Sequence, residues 1–221
     1  MSLYFFKSIT YFVHKWFVLM FTDTDSHSSL TDNMSLSDWR TVSCPKIHND
    51  GTLSVFDYNN KLVRNALYQI KNKNSRHILE SMCIVLADIL TDELAEREIF
   101  QGFIDPIIVS IPTSRKHLVK RGYSPSDVIA KKIGELVSIN YLNNIIHKSR
   151  NTPDQKTLSR YQRLKNVKNS MSIHKHQIEI IQGRCVIVID DIMTTGATLK
   201  EARRVLLKNG AKKVWGVVLA H

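Results

Sequence analysis

Asp190 and Asp191 close an apolar run, Cys185-Val186-Ile187-Val188-Ile189, and a hydroxyl-rich loop follows them, with Thr194, Thr195, Gly196, Ala197 and Thr198, before a helical pattern sets in. Such a loop can hold an anion. Gly196 lets the backbone approach closely, the threonines add hydroxyl donors, and the helix start offers unpaired N–H groups and the positive end of its dipole. The carboxylates cannot serve the same anion, which they would repel. They accept hydrogen bonds from sugar hydroxyls or ligate magnesium. A phosphate at one end and a diol or metal at the other describe a phosphorylated sugar. An Asp-Asp pair at a strand end is by itself a common solvated turn, and the Thr-Thr-Gly loop at this spacing is what changes the reading. A Walker-type phosphate loop is excluded, because no Gly-Lys-Ser/Thr follows the strand.

A second loop fits the same ligand. Pro106–Ile111 reads as a buried strand that breaks into Pro112-Thr113-Ser114-Arg115-Lys116-His117. The carboxyl edge of an open α/β sheet is where ligands sit, so Thr113, Ser114 and Arg115 are expected to face a diphosphate beside the first loop. Lys120-Arg121-Gly122-Tyr123 then leads to a helix at Pro125, with Ser124 as its cap and Val128, Ile129, Ile133, Leu136 and Val137 on its core face.

The elements that must position these loops alternate. Val186–Ile189 is a continuous β-branched run suited to a strand buried on both faces. Thr52–Tyr58 reads as a strand, Asn59-Asn60 as a turn, and Lys61–Lys73 as a helix with Leu62, Val63, Ala66, Leu67 and Ile70 inward and Lys61, Arg64, Lys71 and Lys73 on the opposite face. A longer helix spans about His77–Glu96 on the stripe Ile78, Leu79, Met82, Leu86, Ile89 and Leu90, with Cys83 as an inert buried thiol. Ala197–Lys208 is helical, Gly210 ends it, and Val214–Ala220 is the last strand. Alternation of this kind predicts an α/β fold: a doubly wound, mainly parallel sheet with helices on both faces.

The chain has 221 residues, 43% hydrophobic and 23% charged, an ordinary globular composition with room for one core. Its 31 Lys+Arg against 20 Asp+Glu give a net charge of +11, which predicts polyanionic company: phosphorylated substrates or nucleic acid. Cys44, Cys83 and Cys185 lie far apart without a CxxC, so neither disulfides nor a zinc site are read, and a cytoplasmic setting is expected. Residues 1–21 are apolar and aromatic, but Lys7, His14 and Lys15 interrupt them and no cleavage site follows, so stable membrane insertion is not expected. Residues 1–33 are read as a poorly ordered extension, with Met34 as an alternative start. Polar residues 22–50 are read as a loose linker, and 34–60 as linker and hood. Residues 147–169 are the most basic part: Lys148, Arg150, Lys156, Arg160, Arg163, Lys165 and Lys168 against Asp154. Such a segment is either a solvated surface or a loop that closes over phosphorylated substrate.

Over residues 52–221 the chain resembles the ComF-type competence proteins of the type I phosphoribosyltransferases. The resembling pieces are Tyr58–Lys71, Ile111-Pro112 with Arg121-Gly122-Tyr123, Arg150-x-Thr152-x-x-Gln155-x-x-Leu158, Arg163-x-x-Asn166, and the Asp190–Thr198 loop. The resemblance implies that Asp190 and Asp191 hold the ribose hydroxyls of phosphoribosyl diphosphate (PRPP), that Thr194 to Thr198 hold its terminal phosphate, and that Thr113 to Arg115 hold its diphosphate. It further implies that Arg150 and Lys156, with the stretch to Gln155, close as a catalytic lid. Magnesium would come mainly through the substrate, with Asp190 and Asp191 as further candidate ligands. A nucleobase acceptor and a homo-dimer are the expected partners. The alternative is a non-catalytic PRPP sensor, or a factor handling single-stranded DNA in competence. Three basic patches, 61–76, 112–132 and 147–169, favour that alternative, although only Tyr68, Tyr123 and Tyr161 stand among them to stack on bases. Two departures from the family pattern stand out: only Cys44-Pro45 remains where a zinc module would end, and Ser124-Pro125 replace an Asn-Gln pair.

Overall fold

The computed structural model describes residues 31–73, 75–149 and 167–221. Chain order is α1 (Leu36–Val42), β1 (Lys46–Ile47), β2 (Leu53–Phe56), α2 (Lys61–Lys73), α3 (Arg76–Gln101), β3 (Ile107–Ser110), α4 (Arg115–Arg121), α5 (Pro125–Leu136), β4 (Ile146–Lys148), β5 (Met171–Ile173), α6 (Ile178–Ile181), β6 (Cys185–Ile192), α7 (Ala197–Lys208) and β7 (Lys213–Ala220). The main sheet runs β1-β2-β7-β6-β3, antiparallel only at β1–β2, and β4 and β5 pair separately as an antiparallel ribbon.

Strand β6 is buried on both faces, as its unbroken apolar run requires. Cys185, Ile187 and Ile189 point into one core with Trp39, α2, α3 and α5, whereas Val186 and Val188 point into a second core with α7, α6 and the ribbon. The period-2 alternation of a strand thus divides one run between two layers. On the α7 side, a Cβ at Gly216 would meet Leu199 at an ordinary 3.5 Å but Thr52 Oγ1 at a tight 3.1 Å, so the glycine leaves room for Thr52, just before the neighbouring strand β2. Cys83 is fully buried, and burial pushes its thiol up to about 12, out of reach of physiological ionisation.

Several expectations need correction. The stretch 34–50 is not a loose linker: Ser35 and Asp38 form a capping box that starts α1, and Trp39 is fully buried with its ring edge-on to Phe56 at 5.9 Å. One large aromatic carries this docking, and the polar composition around it hides the signal. Helix α3 runs beyond Glu96 to Gln101, because strong helix formers continue until Gly102, at φ 57, closes it with Phe103 N–H bonding Arg97 O at 3.1 Å. On α5, Val128 and Leu136 are exposed and not in the core; the buried face is Ile129, Ala130 and Ile133. The Pro112–His117 loop is shorter than expected, since Ser114 caps α4 at once. Residues 1–30, including the apolar stretch 1–21, lie outside the described residues. Among the described residues no helix is long and apolar enough to cross a membrane.

Candidate functional site

The chain's path marks the site. From β3 the chain passes through α5 on the first face and returns to the sheet margin, where Tyr141 bridges Ile108. From β6 it leaves through α7 on the second face toward β7. Adjacent β3 and β6 therefore send their connections in opposite directions, which opens a crevice at their carboxyl ends. A cavity of about 330 Å³ lies there, lined by Asp190, Asp191, Thr194, Thr195, Gly196, Ala197, Thr198, Thr113 and Ser114. The two loops singled out in the sequence meet in one site.

The carboxylates are already engaged. Asp190 Oδ1 accepts from Ser126 Oγ and from Asp191 N–H, both at 2.9 Å. Asp191 Oδ1 accepts from Ile192 N–H at 2.7 Å, and its Oδ2 lies 2.8 Å from Lys71 Nζ. Asp190 Oδ2 alone has no partner among the described residues. Burial, and next the neighbouring Asp191 charge, push Asp190 up to about 7, while Lys71 pulls the other way. Magnesium keeps several waters and binds through one or two carboxylates, so the residues present offer it Asp190 Oδ2, whereas Asp191 already holds Lys71.

The loop after β6 leaves backbone donors open. Met193 N–H returns to Ala220 O at 2.9 Å, and the chain then turns through Gly196 at φ 71 into α7, which has no side-chain cap. Among the described residues the N–H groups of Thr194, Thr195 and Gly196 have no acceptor, and Ala197 N–H has only a long 3.4 Å contact to Thr195 Oγ1. Unpaired donors at a helix start are what a phosphate satisfies.

Across the crevice, Thr113 and Ser114 are present but Arg115 is not. It lines a neighbouring cavity of about 450 Å³ with Thr113, Ser124, Asp127 and Lys148. The basic groups on the main cavity are instead Lys71, His117, Arg121 and Lys148. Lys71 and Arg121 belong to two stretches that carry the family resemblance, a signal that could have found them; Ser126 had none. The Ser124 departure also has an explanation: its hydroxyl caps α5, accepting from Asp127 N–H, and bonds Thr113 Oγ1 at 2.8 Å. That bond fixes the Pro112–Ser114 loop to the next helix.

The basic segment enters and leaves through the β4–β5 ribbon, where Lys148 pairs with Met171. Buried Glu201 of α7 holds the ribbon's return, accepting from the backbone at Asn169 and Met171 while its carboxylate grips Arg204. Arg150, Lys156 and the rest of the expected lid lie outside the described residues. At the opposite margin, the β1–β2 turn brings Asp50 to 3.8 Å from where a Gly196 Cβ would stand.

Residues 61–221 match the family described as phosphoribosyl transferase domain. Competence protein F of Haemophilus influenzae is 33% identical over 115 residues, covering 51% of this chain and 50% of its own. DNA utilization protein YhgH of Escherichia coli K12 is 31% identical over 107 residues, covering 48% of this chain and 45% of its own. The chain thus spans about half the length of the curated relatives it matches. Among solved structures, adenine phosphoribosyltransferase from Leishmania tarentolae overlaps at 12% identity and a TM-score of 0.40, over 80% of this chain and 94% of that one. Taken with the order of strand, aspartate pair and uncapped glycine loop, the match over residues 61–221 means that the chain belongs to the phosphoribosyltransferase family.

Proposed function

We propose that this protein binds PRPP in the β3/β6 crevice and transfers its phosphoribosyl group to a nitrogen nucleophile with release of diphosphate. The observation that carries the reading is the pairing, in one cavity, of unpaired backbone donors at Thr194–Gly196 with carboxylate oxygen at Asp190. The terminal phosphate sits on the donors and the dipole of α7. A ribose hydroxyl donates to Asp190 Oδ2, while Ser126 keeps that carboxylate turned inward. The diphosphate lies toward Thr113, Ser114 and Arg121. As the glycosidic bond breaks, the ribose becomes oxocarbenium-like and the diphosphate gains charge, so placed positive groups help more than acid–base groups. Magnesium, when bound, neutralises charge on the diphosphate and belongs to the ligand.

Calorimetric titration of PRPP with magnesium, followed by a screen of nucleobases for diphosphate release, tests this. Micromolar binding together with release for one base class supports transfer. Binding without release would favour a PRPP sensor, and no binding would overturn the reading.

A second role is favoured by one observation. The names of the relatives refer to competence and DNA utilization, and the outer face of α2 presents Lys61 and Arg64 beside Tyr68, which is 59% exposed. A basic helix face with an exposed ring suits single-stranded DNA. Fluorescence anisotropy with an oligonucleotide tests it: binding that survives saturation with PRPP places DNA on this face, and competition places it in the crevice.

A further inference from the structure

We propose that Lys71 is the resident counter-cation of the second signature aspartate, so that the protein itself neutralises Asp191 and Asp191 is not a divalent-cation ligand. The sugar-phosphate reading enters only in what this leaves for the ligand, namely Asp190 Oδ2.

Lys71 behaves unlike its neighbours. Lys61, Arg64 and Lys73 of the same helix are exposed, as a solvated basic face should be. Lys71 turns the other way. Its side chain is 22% exposed against 14% for Asp191, and the two meet at 2.8 Å. Most of this pair is out of water, where each charge needs its partner.

The backbone behind Lys71 is also fixed. Tyr123, in the turn between α4 and α5, donates its hydroxyl to Ile70 O in the last turn of α2. Three distant stretches therefore converge at one point: the end of α2, the Arg121-Gly122-Tyr123 turn and the signature strand. A lysine held this way is placed, whereas a mobile surface lysine would not find one carboxylate oxygen.

The remaining valences complete the argument. Asp191 Oδ1 is taken by Ile192 N–H, and Asp190 Oδ1 by Ser126 and Asp191 N–H. A magnesium-sized ion brought to this pair would find one unengaged oxygen and a resident ammonium, so it would have to displace Lys71 to gain a second carboxylate. The benefit of the arrangement concerns the ligand. Two adjacent carboxylates would repel a polyanion, and Lys71 cancels one of the two charges.

Manganese, followed by electron paramagnetic resonance and solvent-proton relaxation on the ligand-free full chain, tests the proposal. The wild type is expected to bind no manganese that depends on Asp191. Lys71→Met should gain a site at least about tenfold tighter, worth about 1.4 kcal/mol, and adding Asp191→Asn should remove it. Lys71→Arg should behave as the wild type, because the charge is what matters. Wild-type manganese binding that is abolished by Asp191→Asn overturns the proposal, and so does a folded Lys71→Met variant that gains no site. If Lys71→Met does not fold, the wild type against Asp191→Asn decides alone. Because no sugar phosphate is present, these outcomes do not depend on PRPP. A failed PRPP titration beside the expected manganese result would sink only the functional reading.

Discussion

The crevice has two walls built from the same plan, a parallel strand running into a short polar loop and a helix, yet they present opposite surfaces. After β3, Ser114 Oγ accepts from His117 N–H as the cap of α4, Thr113 and Ser124 share a hydroxyl hydrogen bond, and the wall adds side-chain cations such as Arg121. After β6, Gly196 supplies no cap, α7 has no basic residue on the cavity, and the backbone N–H groups stand open. The β3 wall thus adds side-chain cations to the cavity, and the β6 wall lines it with backbone and hydroxyl donors and no cation. The fixed wall, that after β6, costs no side-chain ordering when an anion binds, so it should dominate affinity, and the side-chain wall should respond to salt.

Gly196→Val attacks the fixed wall and should have the largest effect. At φ 71 a β-branched residue is strained by roughly 1–2 kcal/mol, which pushes the loop away from the turn that leaves its N–H groups open. PRPP affinity should fall by about 2 kcal/mol or more, beyond what loss of one hydrogen bond to a charged group gives. Retained calorimetric affinity in a folded variant would mean that the phosphate sits elsewhere. Next comes Asp191→Asn. It strips Lys71 of its charged partner while nothing else replaces it, so thermal or urea unfolding should show a loss of about 1–3 kcal/mol. An unchanged midpoint would show that the ion pair is solvated and idle.

How much of this contrast could be read from the sequence differs between the walls. The β6 wall was legible because its chemistry is local: apolar run, Asp190-Asp191 and Thr194–Thr198 are contiguous, and the helix start follows at once. On the β3 wall, the neighbourhood of Thr113 and Ser114 was legible but the direction of Arg115 was not, since one residue's turn within α4 decides which cavity its side chain enters. Lys71 and Ser126 reach the aspartates from helices far off in sequence, and only packing brings them together. Likewise Trp39 docks α1 through a single side chain, below the reach of any periodicity. The fold followed from alternation of elements, whereas the corrections fall where one residue makes a nonlocal contact.

The fixed wall has a pH signature. Because Asp190 is pushed up to about 7 from its ordinary 3.8, the folded protein holds a proton in that window that the unfolded chain has released. Stability from this group is therefore lost as pH rises from about 4 through 7, the reverse of an ion-paired carboxylate. Asp190→Asn keeps the shape and an acceptor for Ser126 but carries no charge. Its unfolding midpoint should change less between pH 5 and 8 than that of the wild type, and should exceed it at pH 8. Parallel profiles would show that Asp190 is ionised throughout.

The smallest expected effect discriminates most finely, because it separates the two cavities that share the Pro112–Thr113 loop. Arg121 faces the main cavity and is part-buried, whereas Arg115 faces the neighbouring one and is exposed. Arg121→Ala should weaken PRPP binding by about 1 kcal/mol at low salt, the scale of a partly screened charge contact. The loss should shrink as ionic strength rises and the Debye length falls below the distance to the diphosphate. Arg115→Ala should stay within about 0.5 kcal/mol of the wild type, as for most exposed charges. Titrating both variants at two salt concentrations gives four affinities and one decision. A larger effect at Arg115 would move the diphosphate across the loop, into the cavity beside Asp127, and the contrast between a backbone wall and a side-chain wall would then belong to two sites and not to one.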